Sequence, residues 1–466
     1  MTTDLCTEQK LCNLNRITAI LTALVILVSI LYWQPFYGPM DDHAHVTNVV
    51  PKIMQGGFLP FFEEFVRNDF GWGMFRPTYA VMIGLLYAPA VLLDAPWLLF
   101  FLNAVFSFSI LFFSAKVFGR ILKVSYWKIL VIEGAFFYGH DLFQHPSLQE
   151  KLVHLFGLLL LAEVDRRDRA RFALVGLWSF LGFSAKASFV IYIGMAGWLL
   201  LFHDLSVPGI STLARRLWKK LPLFIAFGLG VLFLAWVARH GVYTSGRYSW
   251  QKILPNLLSL DGVMFVVPVI AAVALALFRA RKPENAIELG ELTAAVGTAA
   301  FLLLFLPWGI KGYLHTMAAP IFCALLAWLL DRILSTKLQQ LMCIVFCISA
   351  VLVTTYRSTV NFSRLHDLGQ VVKAAKDWPN VTEIWVACAE GSDALRNFFQ
   401  LQGISSITVQ ELKDFSPANL DAKVIFYDQG LCPLPGRVPI PLGCTASFLF
   451  QGNFAKSYKV ATLRCR

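Results

Sequence analysis

Charge is what this sequence has least of. Only 15% of its residues are Asp, Glu, Lys or Arg, against roughly 25% in an ordinary soluble domain, and 57% are hydrophobic. That balance excludes a simple soluble enzyme. No Walker motif and no Gly-rich loop opening a helix is present, so a nucleotide-sugar or ATP site has no support. The nine cysteines and nine histidines show no zinc or haem spacing. No internal repeat is visible, which removes the main support for an inverted-repeat transporter. A small-residue cleavage site is missing after the first apolar run, Ile17–Trp33. That run reads as an uncleaved helix with its amino end, near Lys10 and Arg16, in the cytoplasm.

What is present is a series of long apolar runs separated by clusters of charge. Lipid cannot satisfy exposed backbone groups, so only helices or closed barrels span it. The runs lack the alternation of barrel strands, which leaves helices. Candidate segments fall near 17–34, 78–94, 96–115, 129–143, 150–164, 172–185, 188–203, 221–238, 263–278, 293–309, 313–330 and 339–356. The formal net charge of +11 does not indicate nucleic acid, because the cations punctuate the runs instead of forming one patch. Arg166, Arg167, Arg169 and Arg171 make one cluster. Arg215, Arg216, Lys219 and Lys220 make a second, and Arg279, Arg281 and Lys282 a third. Under the positive-inside rule these are cytoplasmic loops.

Read backwards from those loops, everything after Arg357 lies outside. Read forwards from the first helix, the loop of residues 35–77 also lies outside. The two readings differ by one crossing between 78 and 203. Eleven crossings and one re-entrant or half-crossing segment reconcile them. The short or polar candidates are 129–143, 172–185 and 188–203, the last two separated at Ser184-Ala185-Lys186. After Arg357 the composition changes. Glu383–Ala389, Ser405–Val409 and Lys423–Tyr427 read as strands and Ser392–Gln402 as a helix, a βαβ rhythm. The chain thus divides into a polytopic helical domain, 1–360, and a small extracytoplasmic α/β domain, 361–466. Cys388, Cys432, Cys444 and Cys465 fall in the second. An oxidising compartment would allow disulfides there, with Cys432–Cys444 a candidate pair; spacing alone does not decide the pairing.

The outer loop 35–77 holds the most polar stretch, Tyr37-Gly-Pro-Met-Asp41-Asp42-His43-Ala-His45. Adjacent carboxylates at the end of a membrane helix are costly and need a reason. One reason is a general base that takes a proton from an acceptor hydroxyl. A second is a divalent cation held by Asp and His. The third is a solvated capping turn. The same loop ends in D-F-G-W-G-M-F-R-P at 69–77. Arg76 there suits bidentate capture of a phosphate or snorkelling at the interface, and Trp72 a sugar platform or the interfacial belt. A second polar island runs from His140 and Asp141 through Glu150, Lys151 and His154. Its members either face a cavity or tie helices together. Lys186 stands alone in F-S-A-K-A-S-F and requires an anionic partner, a lipid phosphate or a structural carboxylate. Arg247 lies in a later outer loop.

This layout, an acidic pair opening the first outer loop, an aromatic stretch ending in Arg76-Pro77, many helices and a small outward C-terminal domain, resembles the GT-C superfamily of glycosyltransferases. Within it, the chain looks most like the bacterial and phage O-antigen-modifying glucosyltransferases. The resemblance implies a donor sugar on polyprenyl phosphate, a glycan or lipopolysaccharide acceptor, and inversion by direct displacement. It also implies a catalytic acid at Asp41 or Asp42, with Asp42 as base and Asp41 as its orienting partner. Arg76, Lys186 and Arg247 are then the donor-phosphate candidates. His43, His45, Trp72, His140 and Asp141 are the candidates for acceptor or sugar contact. No resident cofactor is required; a divalent cation at Asp41 and Asp42 is the alternative. The expected setting is the bacterial inner membrane, with a companion donor synthase and flippase. The rival classes are a flippase or a polymerase of lipid-linked saccharides.

Overall fold

The computed structural model describes residues 45–135, 142, 147–166, 171–202, 210–240, 249–280, 289–307, 315–378, 381–386, 392, 395–396, 398–400, 402–412, 416–427, 444–451 and 459–465. Asp41, Asp42, His43, His140, Asp141, Arg247, Cys388 and Cys432 lie outside them. Two compact units are distinguished. The first comprises Met1–Val28, Phe62–Met82 and Leu102–Thr354; the second comprises Ser29–Phe61, Ile83–Phe101 and Thr355–Arg466.

The stretch expected to be a loop after the first helix is itself helical. A π-turn at His45–Val49 leads into α1 (Val50–Gly56), followed by α2 (Phe58–Gly71). In α2, residues 61, 62, 65, 66, 69 and 70 turn inward while Glu63, Glu64, Arg67 and Asn68 face out. That is the 3.6-residue period of an amphipathic helix. There follow α3 (Pro77–Leu92), α4 (Pro96–Leu122), α5 (Tyr126–Ala135), α6 (Glu150–Val164) and α7 (Phe172–Phe183). Next come α8 (Val190–Phe202), α9 (Ile210–His240), α10 (Leu260–Ala280), α11 (Thr293–Phe305), α12 (His315–Ile333) and α13 (Thr336–Lys376). Among the described residues, four helices are long and apolar enough to cross a membrane: Pro96–Leu122, Leu260–Arg279, Thr316–Ile333 and Thr336–Val353. By contrast α7, at 12 residues, is about 18 Å long, well short of a ~30 Å hydrocarbon core.

Within the first unit, glycines permit close packing. A Cβ at Gly157 of α6 would lie 2.2 Å from the Tyr192 ring of α8, and one at Gly182 of α7 would lie 2.1 Å from Phe189. The rings of Phe265 in α10, Phe301 in α11 and Phe322 in α12 join these helices, with centroids 5.1 and 4.8 Å from Phe265. Charges gather at one end of this unit. Arg332 reaches Glu291 at 2.7 Å, Lys128 contacts both Asp331 and Gln339, and Arg120 contacts Asp165. These pairs tie together segments 120–128, 165–171, 279–292 and 331–339, several of the loops that the distribution of cations assigns to a single face.

In the second unit the end of α13 packs on a sheet. Its strands are β1 (Glu383–Val386), β2 (Thr408–Glu411), β3 (Val424–Tyr427), β4 (Cys444–Gln451) and β5 (Lys459–Cys465), in the order β2-β1-β3-β5-β4. β1 is parallel to β2 and β3, and β5 is antiparallel to β3 and β4. Described residues between 392 and 400 are helical, which makes β1, this helix and β2 the expected βαβ unit. The sequence reading did not contain β4 and β5, and two further features differ from it. First, α13 does not stop where the composition changes at Arg357, because Val371 and Ala375 further along it enter the core with Ile384, Val386, Phe398 and Val409. Second, Cys444 bonds to Cys465, not to Cys432. The two sit opposite one another in the β4–β5 ladder, a neighbour relation set by strand register and invisible to loop composition.

Candidate functional site

The described site residues converge on a break between helices. Ser184, Ala185 and Lys186 separate α7 from a short 3-10 turn, Ala187–Phe189, that begins the α8 segment. Pro77 opens α3, where its missing N–H costs nothing. Thr78 then docks on the break: its N–H donates to Ser184 O at 3.1 Å, its hydroxyl donates to Leu181 O at 3.2 Å, and it also meets the Ser184 hydroxyl. Arg76 and Lys186 therefore lie on segments held directly against each other, 110 positions apart in sequence.

Both cations already hold carboxylates. Arg76 donates from Nε to Asp69 Oδ2 at 2.8 Å and from Nη2 to Asp69 Oδ1 at 2.6 Å. Its guanidinium also stands 5.4 Å from the Tyr79 ring centre. Asp69 is 5% exposed, so the pair is desolvated and closes the turn 69–76. Lys186 donates to Glu150 Oε1 at the start of α6, where Glu150 is 1% exposed. Of the two partners expected for Lys186, this structure contains the carboxylate. One turn along α6, His154 is fully buried; its Nε2 donates to Thr316 O at 2.7 Å, and its Nδ1 lies 2.7 Å from the Tyr192 hydroxyl. With Nε2–H given to a carbonyl, Nδ1 of a neutral ring accepts the Tyr192 O–H. The result is a layer of polar contacts distributed over α3, α6, the break, α8 and the start of α12.

The remaining candidates fall elsewhere. Trp72 is 54% exposed at the end of α2, where the interfacial belt and a sugar platform both remain compatible with its surroundings. In the second unit His45 packs edge-on against Tyr87, centroids 5.0 Å apart. Asp41, Asp42, His43, His140, Asp141 and Arg247 lie outside the described residues, and among those described no group of three His, Cys, Asp or Glu side chains is placed to hold a metal ion. Sequence reasoning missed Asp69, Thr78, Ser184 and Tyr192 as members of the layer. Asp69 had a signal, since it is the one acid and Arg76 the one base of the Gly-rich turn 69–76. Thr78 and Tyr192 had none. It also missed Glu133, which is 3% exposed and accepts from Ser114 Oγ at 2.8 Å.

No family model matches this chain, and no curated protein does. Among solved structures the chain is similar to the apo crystal structure of ArnT from Cupriavidus metallidurans, at 12% identity and a TM-score of 0.51, over 96% of this chain and 97% of that one. At that identity the likeness is one of fold.

Proposed function

We propose that this chain is an inverting membrane glycosyltransferase. It moves a hexose, glucose being the first candidate, from a polyprenyl phosphate to a glycan such as O-antigen on the periplasmic face of a bacterial inner membrane. The observation that carries the reading is the likeness in fold to ArnT over 96% of this chain, read together with the GT-C-like layout of the sequence. Arg76 and Lys186, on segments that Thr78 holds together, support it, because the charge of a lipid-phosphate leaving group needs cations to hold it.

In this mechanism Asp42 removes the proton from an acceptor hydroxyl, oriented by Asp41. The acceptor oxygen bonds to the anomeric carbon from the face opposite the phosphate, and the bond from that carbon to the phosphate oxygen breaks. The proton stays on the carboxylate and the electron pair leaves with the polyprenyl phosphate. Arg76, Lys186 and Arg247, in falling order, hold that charge. Since Arg76 and Lys186 hold Asp69 and Glu150 in this structure, donor binding exchanges one oxyanion for another. Residues 361–466 then form a periplasmic domain.

Purified protein in liposomes, given polyprenyl-phosphate glucose and an O-antigen acceptor, tests the reading. A new glycosidic linkage is the expected result. Movement of the lipid-linked sugar across the bilayer with no new linkage would identify a flippase instead.

A further inference from the structure

A groove of about 430 Å³ opens between α8, α9 and α11, far in sequence from the acidic loop. Its walls are apolar: Trp198 and Phe202 from α8, Phe224, Phe227 and Val231 from α9, and Val296 from α11. Gly194 and Gly228 also line the groove, and a Cβ added to either would meet no atom within 4 Å.

The α9 wall is one helical stripe, 224, 227, 228 and 231, and Lys220 continues that stripe one turn toward the amino end. Lys220 lies over the Phe172 ring at 4.7 Å, and among the described residues it pairs with no carboxylate. Arg215, five positions nearer the amino end, is exposed, and between Asp204 and Asp261 the sequence contains no acidic residue at all. Trp218, 75% exposed on the same turn as Lys220, marks the membrane–water boundary, where such rings concentrate. At 1.5 Å per residue the wall from Phe224 to Val231 runs roughly 6 to 16 Å below Lys220. Half of a ~30 Å hydrocarbon core is about the same depth.

From this we infer that the groove seats one acyl chain of an anionic phospholipid, whose phosphate is held by Lys220 and Arg215. The positive-inside distribution puts this lipid in the cytoplasmic leaflet, where basic segments meet anionic headgroups. It is a different lipid from the sugar donor, whose chemistry is proposed for the opposite face, and its binding does not depend on sugar transfer.

The test uses the full-length protein in detergent, with native mass spectrometry and thermal unfolding. Phosphatidylglycerol and phosphatidylcholine of matched acyl chains are compared. Wild type is expected to retain phosphatidylglycerol at least tenfold over phosphatidylcholine and to melt several degrees higher with it. Gly194→Leu and, separately, Gly228→Leu fill the groove from positions with open space. Each is expected to lose the retained lipid and the shift while melting like wild type without lipid. Arg215→Gln with Lys220→Gln should bind the two lipids equally. Equal retention of both lipids by wild type, or an undiminished shift in both leucine variants, would overturn the inference. So would displacement of phosphatidylglycerol from wild type by polyprenyl phosphate, a result that needs no variant and would make the groove the donor's.

Discussion

At the scale of residues, Arg76 and Lys186 each hold a buried carboxylate, and breaking those pairs tests the phosphate role proposed for the two cations. Asp69 holds both the Nε and Nη2 edges of Arg76, with side chains only 16% and 7% exposed. Removing one partner of such a pair leaves a desolvated charge, which costs about 3–5 kcal/mol. Asp69→Ala is therefore expected to lower unfolding stability by that order in a denaturation series. A surface-like change below 1 kcal/mol would show that the pair is solvated. Lys186 is the better probe of donor binding, because its ammonium is a point charge on a flexible stem. If it turns from Glu150 to a phosphate, Lys186→Gln removes a charge-assisted bond of about 1.5–3 kcal/mol. That corresponds to roughly a 10- to 150-fold rise in KM for the lipid-linked donor. An unchanged KM would confine Lys186 to tying α6 to the helix break.

At the scale of elements, the break at 184–186 matters because it lets α3 dock and places His154 and Tyr192 together. Gly157 holds that geometry, since its missing side chain is what admits the Tyr192 ring. Gly157→Ala forces ring and helix apart; overpacking of this kind costs about 1–3 kcal/mol. A lower melting temperature is expected, together with loss of the Tyr192–His154 hydrogen bond, visible as a changed imidazole NMR signal. In the sheet, Cys444 and Cys465 close a loop of sequence separation 21, for which chain entropy gives about 3 kcal/mol. Cys465→Ser should lower the stability of the sheet by that order. An unaltered melt under reducing conditions would contradict it.

At the scale of the whole molecule, the membrane helices were readable because hydropathy is a local property. Runs such as Pro96–Leu122 and Leu260–Arg279 announce themselves without partners. Of the five strands of the C-terminal sheet, β1, β2 and β3 were readable for the same reason, within a few residues of their ends, whereas β4 and β5 were not read from the sequence. What else the sequence did not disclose is pairwise. Glu150 and Lys186 are 36 positions apart; Lys186 was expected to need an anionic partner, and only packing of α6 against the break selects Glu150 for it. The Cys444–Cys465 bond follows from strand register, and the run of α13 past Arg357 from the core that Val371 and Ala375 meet. The helicity of 45–71 was hidden because its short, polar turns resemble a loop until burial is known. Asp41 and Asp42 rest on the resemblance and on the rarity of adjacent carboxylates at a helix end.

Those two aspartates carry the central claim, and one experiment addresses them most directly: sugar transfer from polyprenyl-phosphate glucose by purified Asp41→Asn and Asp42→Asn. Loss of the general base is expected to lower kcat for Asp42→Asn by about 10²- to 10⁴-fold. Donor binding stays intact, and Asp41→Asn shows a smaller loss. Full activity in both variants would contradict the account.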